Sequence, residues 1–96
     1  MPTIDLRRKH HLDRQRARQR VDELATRMRE KFGVEAHWVA DTLRLEHMGL
    51  DGSITVDDEA VHVKVRLGLL LAALKPRIEH ELREKLDAWF GPETGA

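Results

Sequence analysis

The side chains able to do chemistry are few in kind: one serine, six histidines, seventeen carboxylates and no cysteine. A serine nucleophile needs a base within hydrogen-bond reach and a third group to orient that base. Ser53 lies in an alternating segment whose nearest partners would be His62 and Lys64 on the solvent side, and nothing around it has the spacing of a nucleophile elbow. The lack of cysteine removes thiolate nucleophiles, thiolate metal sites and disulfide scaffolds together, and suits a reducing cytoplasm. Paired carboxylates can serve as acid and base, but Asp57-Asp58-Glu59 falls where the pattern calls for an exposed hairpin turn.

The histidines invite a metal. His80-Glu81 opens like the zinc-binding helix of a metalloprotease, which needs a second histidine one turn later, and Glu84 stands there instead. His10 and His11 are neighbours and would point apart on an extended strand. His37 and His47 are expected on opposite sheet faces, and His62 would join either only under a favourable strand order. We therefore expect no catalytic, cofactor-binding or metal-binding residue, no cofactor, and no enzymatic activity.

The elements that would position these groups follow from periodicity. Ile4 and Leu6 alternate with polar neighbours over Thr3 to Arg7, a short strand. From Leu12 to Phe32 the period changes: Ala17, Val21, Leu24, Ala25, Met28 and Phe32 recur at helical spacing, with Asp13 as a cap or first-turn acid and Gly33 as a stop. Strands follow. Pairing Trp38 with Leu43 and Ala36 with Leu45 around Ala40-Asp41 keeps one face apolar, and a reversal at Met48 to Asp51 sets Leu45 opposite Ile54 and Leu43 opposite Val56. A turn over Asp57 to Ala60 brings Val56 to Val61, Ile54 to Val63 and Asp51 to Arg66. Beyond Gly68 a helix carries Leu71, Leu74, Ile78, Leu82, Leu86 and Trp89, and Pro76 either opens its first turn or kinks it. The fold class is α+β, ordered β-α-β-β-β-β-α, with an antiparallel meander covered on one face by two helices. We expect one domain over residues 1–92 and a loose tail over 93–96. The start, Met1 to Asp5, has the pattern of neither a signal peptide nor an anchor, and the longest apolar run, six residues, is too short to span a bilayer.

Net charge is zero, yet residues 1–33 hold 10 Lys and Arg against 5 Asp and Glu, and residues 34–96 hold 7 against 12. Arg7, Arg8, Lys9, Arg14, Arg16, Arg18 and Arg20 are the candidates for contact with an anionic surface. No aromatic lies between them to stack a base, so a solvated helix competes with nucleic-acid binding. On a helical projection Arg16, Arg20, Arg27 and Lys31 flank the apolar stripe on one side and Arg14, Arg18 and Arg29 on the other, as in a helix lying in a lipid-like interface; the smallness of the stripe favours packing on a sheet. Leu69 to Leu74 is apolar on every side of a helix, whereas one sheet covers one side. Leu69, Leu70 and Ala73 must meet a dimer partner, the first helix or an external apolar surface.

Several strings in order carry a resemblance: Thr3-Ile4-Asp5-Leu6, Asp41-Thr42-Leu43, Gly49-Leu50-Asp51-Gly52-Ser53-Ile54, Val63-Lys64-Val65-Arg66-Leu67-Gly68-Leu69-Leu70, Ile78-Glu79 and Lys85-Leu86-Asp87. Over Thr3 to Pro92 the chain resembles the polyhydroxyalkanoic acid system proteins, small bacterial proteins encoded among genes for polyhydroxyalkanoate granules. The resemblance implies a non-enzymatic accessory role, with the granule surface or a granule protein as partner, in the cytoplasm. It supplies no site residues. The element order also looks like a shortened helix-grip domain, in which apolar ligands lie between helix and sheet. Carriage of a small acyl ligand is the rival function, and nucleic-acid regulation the third.

Overall fold

The structure, a computed structural model, describes residues 3–91, so the tail expected at 93–96 lies outside the described residues. Strands β1 (Thr3–Lys9), β2 (Glu35–Val39), β3 (Thr42–His47), β4 (Leu50–Val56) and β5 (Ala60–Leu67) form one antiparallel sheet in the order β1-β5-β4-β3-β2. Helices α1 (Arg14–Phe32) and α3 (Lys75–Phe90) cover one face, and a four-residue helix, α2 (Leu69–Ala72), links β5 to α3. Because every neighbouring pair is antiparallel, β1 and β2 run the same way at opposite edges. α1 therefore carries the chain across the whole width of the sheet.

Local chemistry explains the boundaries. Asp13 caps α1 by accepting from the Arg16 N–H at 2.8 Å, and Gly33, at φ 71°, ends it with its N–H on the Arg29 carbonyl. Pro76 opens the first turn of α3, where a missing N–H costs nothing, and this settles the alternatives at that proline. The stripe residues Ala17, Val21, Leu24, Ala25 and Met28 of α1 and Ile78, Leu82 and Leu86 of α3 are buried with the inner sheet face as one core.

The pairings Trp38 with Leu43, Ala36 with Leu45, Val56 with Val61, Ile54 with Val63 and Asp51 with Arg66 are as expected. The β3–β4 register is a correction: Leu43 faces Ile54 and Leu45 faces Gly52. The reversal needs only Met48 and Gly49, because Gly49 takes φ 83°, and Leu50 already belongs to β4. A shift of two residues leaves every side chain on its expected face, which is why the apolar set stayed inside. The first strand also runs two residues further than expected, to Lys9, and pairs with β5.

Candidate functional site

The features that could meet a partner gather at the end of the sheet where β3 turns into β4 and β5 leaves for α2. The Gly68 N–H donates to the Gly49 carbonyl at 2.7 Å, tying the Met48-Gly49 turn to the start of α2. Leu71 and Leu74 turn inward and pack on the core. Their neighbours do the opposite: Leu69 is 92% exposed, Leu70 79% and Met48 80%, with Ala73 exposed beside them. α1 does not cover Leu69 or Leu70. Of the three covers expected for them, an external apolar surface and a second copy remain.

The basic candidates do not form one surface. Arg7 and Lys9 point outward from β1, while Arg8 points inward and is 1% exposed, which takes it out of any surface contact. Its Nε and Nη2 donate to Asp87 Oδ1 at 3.1 and 2.9 Å, and its Nη1 to the Arg7 carbonyl. Arg14 bridges two turns, reaching Asp41 at 3.0 Å and Asp58 at 2.9 Å. Arg16 and Arg20 lie beside Asp13 and Glu23. The Arg18 guanidinium sits 4.2 Å over the Trp38 ring, whose Nε1 donates to Asp22 at 2.6 Å. With the α1 stripe buried under these cations, their flanking arrangement is that of a helix packed on a sheet.

Three buried polar groups, Arg8, His10 and Glu81, escaped the sequence reasoning. Extending the alternation Ile4, Leu6 by one step would have placed Arg8 inside. His10, also buried, accepts from the Leu12 N–H at Nδ1, so its proton is assigned to Nε2, which donates to the Asp57 carbonyl at 2.7 Å. Its ring lies 6.1 Å from that of Phe90. The remaining histidines are dispersed: His37 and His47 are on opposite faces, His62 pairs with Asp5 at 2.7 Å on the open face, and His80 with Glu84 at 3.2 Å. Among the described residues no three His, Asp or Glu side chains converge to hold a metal ion. Ser53 pairs with Lys64 and Arg44 across the open face.

Residues 4–90 match the model of a family described as putative polyhydroxyalkanoic acid system proteins. The chain belongs to that family. Neither the curated proteins nor the solved structures include a match. In this polyhydroxyalkanoic acid system protein no described helix is long and apolar enough to cross a membrane.

Two carboxylates of this system protein bear on its response to acid. Lys31 donates to Glu81 at 2.9 Å, and this bond holds the Glu81 carboxyl below its ordinary range against the opposing effect of burial. Asp57 is lowered by the backbone N–H groups of Glu59 and Ala60, which it accepts at 2.8 and 2.6 Å. A carboxyl lowered in the folded state adds stability above its unfolded pKa and loses that stability as pH falls through the folded value. Thermal melts should therefore shift downward as pH drops below about 4. A Glu81→Gln/Asp57→Asn variant should start less stable at neutral pH and show a shallower fall; an identical slope in wild type and variant would refute the assignment.

Proposed function

We propose that the protein is a non-enzymatic accessory factor of polyhydroxyalkanoate metabolism that adheres to the granule through the tip formed by Met48, Leu69 and Leu70. The exposure of two consecutive leucines carries this proposal. Burying each against an apolar phase is worth roughly 1.5–3 kcal/mol, so a polyester surface offers a gain that water does not. α2 presents them because its inner residue Leu71, with Leu74 just beyond its end, anchors it to the core while Gly68 and Gly49 hold its start against the neighbouring turn. Family membership supplies the setting. Arg7 and Lys9, outward on β1, and Arg14, Arg16, Arg18 and Arg20, mostly engaged with nearby acids, support no more than a secondary contact with anionic material at the granule.

Co-sedimentation with purified granules tests the proposal. Wild type should pellet with granules at low and high salt alike, since apolar adhesion is not screened, and Leu70→Glu should lower the affinity about tenfold or more. Granules stripped of their proteins by protease should still bind; loss on stripping would assign the tip to a granule protein instead. Binding that vanishes in high salt, or is indifferent to Leu70→Glu, would overturn it. The same leucines could pair two copies, and sedimentation equilibrium distinguishes that case: a wild-type dimer made monomeric by Leu70→Glu would place the tip in a self-association surface.

A further inference from the structure

The inner side of α2 walls a depression of about 320 Å³ between the C-terminal turn of α1, the start of α3 and the β3–β4 end of the sheet. That volume is at the lower end of the range of small-molecule sites. Its apolar lining comes from Phe32, Val34, Leu50, Leu71, Leu74 and Ile78, and its polar margin from Lys31, Arg77 and His47. Lys31, Phe32 and Arg77 also line an adjoining depression of about 340 Å³ that ends at His80 and Glu81. The two form one amphipathic groove with cations at its waist. Lys31 is partly occupied by Glu81, whereas Arg77 has no ion-pair partner among the described residues.

We propose that this groove binds a small carboxylic acid with an unbranched apolar chain, the chain lying along Leu50, Leu71 and Leu74 and the carboxylate at Arg77 and Lys31. The charge pattern selects this class. A neutral hydrocarbon would leave Arg77 without a counter-charge, and a phosphate-rich ligand would put several negative charges against an apolar wall with one unpaired cation to meet them. His47 belongs to the margin: it takes an inner-face register position at the end of β3, after Leu43 and Leu45, yet is exposed there.

The site is separate from the outward leucines, and its test needs no granule, so it stands or falls apart from the adhesion proposal. The full chain, labelled with ¹⁵N, is titrated with sodium octanoate, with octan-1-ol and acetate as probes of the chain and the charge alone. Octanoate should give saturable amide shifts centred on Val34, Leu50, Leu71 and Leu74, with octanol and acetate each binding more weakly. Arg77→Glu, at an exposed position that the fold does not need, should weaken octanoate about tenfold or more and leave octanol unchanged. Absence of saturable shifts up to about 10 mM, weaker than any specific site worth the name, would overturn the proposal. So would shifts confined to Met48, Leu69 and Leu70, or octanol binding as tightly as octanoate with Arg77→Glu silent.

Discussion

Replacement of Val63 by aspartate is expected to abolish cooperative folding. Val63 is fully buried on β5, with Leu6 of β1 on one side and Ile54 of β4 on the other, and the inward cation of β1, Arg8, stands opposite Val61 and is already bonded to Asp87. The substitution removes an apolar side chain worth about 1.5–3 kcal/mol. It also buries a carboxylate at a further cost of several kcal/mol, or forces it to take up a proton. A domain of this length has roughly 5–15 kcal/mol in total, so the loss consumes most or all of it. Lys64, one residue on, is exposed and faces Asp5 and Ser53 across the open side. Lys64→Asp sets a second carboxylate opposite Asp5 on the solvated face, so it should still fold and melt cooperatively, about 1–2 kcal/mol below wild type. Far-UV circular dichroism on the two variants checks both statements, and a cooperatively melting Val63→Asp protein would show the strand facing the other way.

The second large effect concerns the buried guanidinium that joins the edge strand to the last helix. Arg8 is inside while Asp87, its carboxylate partner, is about half exposed at 49%. Removing one member of a buried pair is worse than replacing the charge by a hydrocarbon, because the remaining charge loses part of its compensation where water does not reach it. Asp87→Ala should cost about 2 kcal/mol, below the 3–5 of a fully buried pair because water reaches the aspartate and Arg8 keeps its other bonds. Arg8→Met, close to isosteric in a site lined by the core, should change stability by less than about 1 kcal/mol. The distinguishing result is the sign of the second step: adding Arg8→Met to Asp87→Ala should raise the melting temperature. A double variant less stable than Asp87→Ala alone would mean that Arg8 contributes by packing and not through its charge.

The glycines at the β3–β4 end illustrate why the register there was harder to read than elsewhere. The reversal expected over Met48 to Asp51 is two residues too long, and Gly52, which has no side chain to mark the alternation, lies in β4 opposite Leu45 and Val65. A Cβ there would come within 3.1 Å of the Val65 Cγ2 and 3.0 Å of the Lys64 carbonyl, so a larger residue would push the strands apart by a few tenths of an ångström. The tip was more legible. Leu69, Leu70 and Ala73 were singled out because a run apolar on every side exceeds what one sheet can cover, and all three are exposed. Met48 was missed as their companion, since only the contact between Gly49 and Gly68 brings its turn to the start of α2.

What the sequence determined by itself is whatever has a period. The alternations of β4 and β5 settle which side chains face the core, the spacing of three and four in α1 and α3 settles their buried stripes, and Asp13 and Gly33 mark where α1 starts and stops. These are local properties, fixed by backbone geometry and the burial of one face. What only the tertiary structure decided is whatever depends on which elements become neighbours. The docking of β1 against β5, the meeting of buried Arg8 and His10 with Asp87 and the Asp57 carbonyl, and the engagement of Arg14 and Arg18 with Asp41, Asp58 and Trp38 all join residues far apart in the chain. The groove under α2 arises in the same way, from α1, α3 and the sheet end, because an unfilled space is made by the residues around it and leaves no mark in the pattern of any one of them.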